Sequence, residues 1–221
     1  MNIDQKISNE LKILALEAIS NAGSGHSGSV LSAGDILYTL YTKHLLSDSK
    51  GEAIDRDRFV LSNGHACAIL YAILAGLKYF DIAELNRFRK FDGLLTGHPE
   101  IEIPGVDAST GPLGQGVGNA VGMAIAETIL NARFNLSHYT YCMVGDGCLE
   151  EGVGLEALSI AGLYKLNKFI LLYDKNDVTL DGKLEKSNTD DMVMKFKSMN
   201  FNVLECDGHD IDEINNVITR A

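Results

Sequence analysis

Two segments carry residue types able to hold a divalent cation together with a phosphate. One reads Val144-Gly145-Asp146-Gly147 and the other Tyr173-Asp174-Lys175-Asn176-Asp177-Val178, so 30 positions separate Asp146 from Asn176. A carboxylate, an amide oxygen and a backbone carbonyl are hard donors suited to Mg²⁺ or Ca²⁺, with diphosphate oxygens and water completing the shell. Glycines on both sides of Asp146 let phosphate oxygens approach backbone N–H groups. A helix expected to open near Glu150 turns its positive end the same way. The same letters also suit an Asp-Gly turn and a polar strand end, and the pair alone leaves both readings open.

Histidines form the second group. His26, His65, His98 and His209 each follow a glycine. The first three are expected in loops, where an imidazole can donate to phosphate or shuttle a proton near neutral pH. Gly23-Ser24-Gly25-His26-Ser27-Gly28 matches the dinucleotide fingerprint letter for letter, but that motif needs a preceding strand. A helix is predicted there instead, over Asp4 to Asn21. The third feature, Ser109 to Gly118, is dense in glycine. It suits either a backbone passing against a flat ligand, with Leu113 as an apolar wall, or close packing of a loop on a helix through Gly118-x-x-x-Gly122.

These residues must be positioned by the rest of the chain. Ile7, Leu11, Leu14, Ala15 and Ala18 set helical spacing in the first segment. Ser32 and Asp35 read as a capping pair opening a second helix, Ala33 to Leu46. Arg58 to Leu61 reads as a strand, Ala66 to Leu77 as a buried helix and Ile82 to Lys90 as an amphipathic one. Later, strands at Tyr139–Val144, Lys168–Tyr173 and Phe201–Cys206 alternate with helices at Glu150–Leu166 and Asp190–Met199. That rhythm predicts an α/β fold, a mostly parallel sheet with helices on both faces. The apolar run Phe169 to Leu172 suggests a central strand. Ligands in such sheets bind beyond the strands' carboxyl ends, just after Val144 and Tyr173.

Composition narrows the class. With 221 residues, 46% apolar and 22% charged, the chain has material for one domain and a buried core. A net charge of −11 argues against nucleic acid and anionic membranes as partners. No apolar run reaches the ~18 residues a membrane span needs. The four cysteines match no CxxC metal pattern, which reads as reduced thiols in a cytoplasmic protein. The chain stops at Ala221 inside an expected helix from about Asp210. Residues 1–221 are thus expected to be a single domain, truncated or split from the rest of an enzyme and missing its last strand.

Taken together, the residues from about Ala18 onward resemble the thiamine-diphosphate-binding half of transketolases. The motifs that carry the resemblance are Gly25-His26, Asp57 to His65, Gly97-His98-Pro99-Glu100, Gly105 to Gly116, Gly145 to Gly152 and Tyr173 to Gly182. The resemblance implies that Asp146, Asn176 and the Val178 carbonyl bind Mg²⁺ or Ca²⁺, and that Gly147 N–H and His65 hold the diphosphate. It implies that Gly111 and Leu113 position the aminopyrimidine and that His26 and His98 lie beside substrate hydroxyls. Glu151 would link subunits and Asp174 would brace the cation site from behind. The implied reaction moves a two-carbon ketol unit from a ketose phosphate to an aldose phosphate, with the cofactor as electron sink. The implied partners are sugar phosphates, a pyrimidine-binding domain or subunit, and a second copy in a homodimer.

Ser27 stands where many family members have proline. The glutamate that activates the cofactor belongs to the pyrimidine-binding domain, so the isolated chain is expected to be inactive and prone to self-association. Two other readings are a dihydroxyacetone or 1-deoxyxylulose-phosphate synthase, and a metal/diphosphate-binding module without catalysis.

Overall fold

In the computed structural model, which describes residues 2–47, 53–179 and 182–221, eight α-helices and five strands follow one another. The helices are α1 (Ile3–Ala22), α2 (Ser27–Thr39), α3 (Cys67–Gly76), α4 (Gln115–Phe134), α5 (Asp146–Leu149), α6 (Gly152–Tyr164), α7 (Met192–Ser198) and α8 (Ile211–Arg220). The strands are β1 (Arg58–Leu61), β2 (Thr140–Gly145), β3 (Phe169–Asp174), β4 (Val178–Thr179) and β5 (Gly182–Lys183). Among the described residues no helix is long and apolar enough to cross a membrane. The chain divides into two compact units.

The first unit gathers the described residues of Met1–Ala53, Gly64–Ser109 and Cys206–Arg220. Asn2 opens α1, its side-chain oxygen accepting the Asp4 N–H at 2.7 Å. Gly23 ends the helix in the left-handed region, φ 67°. The helix therefore runs straight into the glycine-rich hexapeptide, and no strand precedes that fingerprint. Helix α3 is apolar on every side and buried throughout, packed against α1 and α2. The second helix differs from expectation. It begins at Ser27, directly after His26, and continues as a π-helical turn, Leu40–His44. Asp35 is not a cap residue. It is 1% exposed and receives Lys12 Nζ at 2.6 Å, Ser8 Oγ at 2.6 Å and Gln5 Nε2 at 3.1 Å, which ties α2 to α1.

The second unit, Ile54–Asn63 with the described residues of Thr110–Glu205, holds a parallel sheet in the order β1-β2-β3, flanked by helices. Thr140↔Phe169 through Gly145↔Asp174 set the register between β2 and β3. Helix α4 lies against all three strands and α6 against α4. The central strand is β2, buried from Thr140 to Val144, whereas Ile170–Tyr173 of β3 are half-exposed at an edge. A continuous apolar run signals burial, and here an aromatic group supplies much of it. Phe196 meets Tyr173 at 5.9 Å between ring centroids, and Phe201 meets Phe169 at 6.3 Å. For the same reason 201–206 is not the expected strand; Phe201 docks by its ring while the backbone pairs with no strand among the described residues.

Candidate functional site

In the second unit the parallel register brings the cation-type residues to one sheet edge. Because Gly145 lies opposite Asp174, the residues after each strand emerge side by side. Asp146, 3% exposed, accepts the Asn176 N–H on Oδ2 at 3.3 Å and the Tyr173 hydroxyl on Oδ1. Burial, then the bond to Asp146, pushes the Tyr173 hydroxyl far above its ordinary pKa, so it stays a donor. Asn176 Oδ1 accepts the Val178 N–H at 3.1 Å, and Asn176 Nδ2 donates to Asp174 Oδ2 at 3.3 Å. Asp146, Asp174, Asn176 and Val178 thus form one hydrogen-bonded group. Among the described residues no three His, Cys, Asp or Glu side chains gather as metal ligands. The oxygen set here draws on an amide and a backbone instead.

The helix beyond Asp146 differs from expectation. A four-residue helical turn, α5, begins at Asp146 itself, and the longer α6 opens at Gly152 with Glu151, exposed, as its preceding residue. Gly147 therefore lies inside a turn. A Cβ there would stand 3.0 Å from Leu113 Cδ1 and 3.4 Å from Thr179 Oγ1, so Leu113 and Thr179 wall a slot over the Gly147 backbone. Thr179 is held by donating to Glu150 Oε2 at 2.9 Å. Gly111 and Leu113, both half-exposed, precede Gly114, whose φ of 78° and 2.9 Å approach to Glu151 Cβ exclude a side chain. Gly116 is as tight against Ser62, at 2.5 Å. Gly118 and Gly122 have nothing within 4 Å where a Cβ would stand, so the packing alternative holds for the loop and not for that pair.

A cation with a diphosphate fits these residues. The donors are hard oxygens, and any Cβ on Gly147 would crowd the slot walled by Leu113 and Thr179.

In the first unit three histidines converge, His26 and His98 from loops and His65 from a 3₁₀ turn, Gly64–Ala66, in place of the expected loop. The His26 and His65 rings lie 4.8 Å apart, and His98 is close enough for its charge to act on His65. Burial first, then His26 and His98, push His65 down to about 4; His98 is lowered by burial, Arg89 and His26. His65 is half-buried and neutral at pH 7, whereas His26 and His98 are exposed. A histidine lowered in the folded state takes up protons on unfolding, so stability falls as pH drops from the unfolded value near 6.5 toward about 4. His65→Asn should remove on the order of 1 kcal/mol of this loss, after allowance for solvent screening. Denaturant unfolding at pH 7 and pH 5 checks it, and an unchanged pH slope would reject it.

His209 stands apart from these three, with Nδ1 3.4 Å from Asp35 Oδ2. The cysteines are free: Cys67, Cys142 and Cys148 buried, Cys206 exposed. Several supports were not read from the sequence: Tyr173 on Asp146, Thr179 on Glu150, and the side chains that pin the His98 loop. In the last group Cys67 Sγ donates to Gly97 O at 3.1 Å and the Tyr71 hydroxyl donates to His98 O at 2.9 Å. The place of Tyr173 near the end of the β3 run, opposite Val144, itself two positions before Asp146, could have marked it; nothing local marks the others.

Residues 3–221 match the family described as transketolase, thiamine diphosphate binding domain. The chain is 46% identical to a transketolase of Buchnera aphidicola subsp. Schizaphis graminum and 40% identical to transketolase 1 of Escherichia coli K12. Each alignment covers 100% of this chain and 35% of the relative. Among solved structures, transketolase from Leishmania mexicana superposes with a TM-score of 0.94 at 40% identity, covering 100% of this chain and 34% of that one. The Campylobacter jejuni transketolase gives 0.92 at 40% identity, covering 100% and 36%. In class, then, the molecule is an α/β cofactor-binding domain. It belongs to the transketolase family, as the thiamine-diphosphate-binding domain, and spans about a third of the length of the curated relatives it matches.

Proposed function

We propose that this chain is the cofactor-holding part of an enzyme that transfers a two-carbon ketol unit from a ketose phosphate to an aldose phosphate. The observation that carries the reading is the Asp146–Asn176–Val178 group at the carboxyl edge of the sheet, in a chain that matches the family from residue 3 to residue 221. Asp146, Asn176 and the Val178 carbonyl hold Mg²⁺ or Ca²⁺. Gly147 N–H donates to the diphosphate, and His65, a neutral imidazole, is assigned to the same group by the family pattern. Gly111 and Leu113 offer backbone and an apolar wall to the aminopyrimidine. Thiamine diphosphate, when bound, supplies the electron sink for breaking a C–C bond beside a carbonyl. His26 and His98, both exposed, contact substrate hydroxyls and move protons there. Glu151, exposed before α6, takes part in the subunit contact, and Asp174 braces Asn176.

In this reading residues 1–221 act as one cofactor domain in a cytoplasmic homodimer, completed by a pyrimidine-binding domain or subunit. The test supplies the complete protein with thiamine diphosphate, Mg²⁺, a ketose phosphate and an aldose phosphate, and follows sugar chain lengths by mass spectrometry. A product two carbons longer than the acceptor is expected from the complete protein and not from the 221-residue chain alone. Cofactor binding without any two-carbon transfer would overturn the reading.

A further inference from the structure

Arg89 has an arrangement that neither the preceding 3₁₀ turn nor its charge requires. It sits beyond the 3₁₀ turn Ile82–Arg87 with φ 59°, a backbone region that non-glycine residues rarely adopt. Its backbone N–H donates to Leu95 O at 2.8 Å, which pins the start of the loop carrying His98. Its guanidinium then spans two loops. Nη1 donates to Ser24 Oγ at 3.2 Å, two residues before His26, and Nη2 reaches Gly97 O at 3.4 Å, one residue before His98. Nε is buried without a hydrogen-bond partner. A Cβ on Gly97 would stand 3.1 Å from that Nε and 3.4 Å from Cζ, so the glycine makes room for the fork.

We propose that Arg89 is a positioning residue for the proton-transfer histidines, its guanidinium fixing the His26 loop and the His98 loop in one geometry. This rests on the reading of His26 and His98 given above. An arginine suits the task because its planar fork reaches two acceptors at once, which a lysine cannot do. Among the described residues no carboxylate pairs with the fork, and its charge acts on His98. The charged and titratable groups around His98 are Arg89 and His26, which lower it, and Glu100, which raises it; His65 faces the cluster from α3's leading turn, with Cys67 and Tyr71 beneath the loop. Burial lowers His98 first and Arg89 next, so Arg89 adds to the preference for the neutral imidazole besides pinning the loop that carries it.

The test uses the complete protein carrying Arg89→Met, Arg89→Lys or Gly97→Ala. Displacement of a group by about 1 Å can cost ~100-fold in rate, so Arg89→Met should lower kcat by roughly 10–100-fold. The thiamine diphosphate Kd should stay within about twofold, because the cofactor's contacts are untouched. The acid limb of the rate profile, and the His98 titration followed by NMR on labelled histidine, should both move up. Arg89→Lys should restore the titration but not kcat, since it returns the charge and not the fork. Gly97→Ala should lower kcat with Arg89 intact. An unmoved His98 titration in Arg89→Met, or full rescue of kcat by lysine, would overturn the proposal. Should Arg89→Met not fold, Arg89→Gln, which also removes the charge, carries the titration readout, and Gly97→Ala and Arg89→Lys carry the kcat readout. His26→Ala and His98→Ala are run alongside. Full ketol transfer in those variants would refute the reading of the histidines, while the NMR titration still judges Arg89.

Discussion

Asp146→Ala should remove metal-dependent binding of thiamine diphosphate. Asp146 is the more deeply buried of two carboxylates, with Asp174, at the edge where β2 and β3 release their chains, and two neighbours, the Tyr173 hydroxyl and the Asn176 N–H, already aim its oxygens. Taking away a residue that only orients a ligand typically costs 10–100-fold in metal affinity, and loss of the carboxylate itself should exceed the upper end of that range. Tyr173→Phe provides the graded comparison. It keeps the ring that packs on Phe196 and removes only the donor on Asp146, so Mg²⁺ affinity should drop by about 10–100-fold with the fold intact. Calorimetry with Mg²⁺ or Ca²⁺ alone, and then with the cofactor, separates the two effects, and circular dichroism confirms folding. Cofactor affinity that is equal in the unsubstituted protein and in Asp146→Ala, or indifferent to the metal, would discard the site.

That site was half legible in the sequence, for reasons that differ between its parts. Asp146 and Asn176 could be paired because each follows an apolar strand-like run and parallel neighbours release their chains at the same edge; the Gly145↔Asp174 register is that argument in atoms. The bracing side chains were not legible, because their partners are distant in sequence: Thr179 reaches Glu150, and Arg89 reaches Ser24 across 65 positions. Two misreadings share one cause. The apolar run at 169–172 points to a central strand and the segment 201–206 to a further strand, whereas rings do the covering, from Phe196 over Tyr173 and from Phe201 over Phe169. Periodicity reports that a residue is buried and is silent on what buries it. Asp35 shows the same limit for a polar residue. Placed three after Ser32, it matches a capping pair by spacing, but α2 had already begun at Ser27 and the carboxylate points into the protein.

The buried carboxylate Asp35 sets the second large effect. Lys12→Met should destabilise the protein by about 3–5 kcal/mol at pH 7, the usual cost of stripping one partner from a buried ion pair. Lys12 is itself 9% exposed, and among the described residues its ammonium is the one permanent positive charge bonded to Asp35, with Ser8 and Gln5 adding neutral donors and His209 Nδ1 at 3.4 Å. Burial works to raise the Asp35 pKa, but the hydrogen bonds and charge from Lys12 and the hydroxyl of Ser8 outweigh it, and the net value lies below the ordinary one. A carboxylate lowered on folding contributes stability that is complete above its unfolded pKa and is lost as pH falls through the folded one. In Lys12→Met the burial acts unopposed by the ammonium, Asp35 is driven toward protonation, and the penalty is relieved by acid. The gap between the two proteins should therefore be widest near pH 7 and should narrow as pH falls toward and through the ordinary carboxylate range, about pH 4. Lys12→Met combined with Asp35→Leu should recover much of the loss, because apolar side chains of similar volume often replace a buried pair at little cost. Urea unfolding of the three variants across pH decides it. A Lys12→Met effect within the ±0.5 kcal/mol of an ordinary surface change, or a gap that widens in acid, would show that the pair does not bind α1 to α2 as its geometry implies.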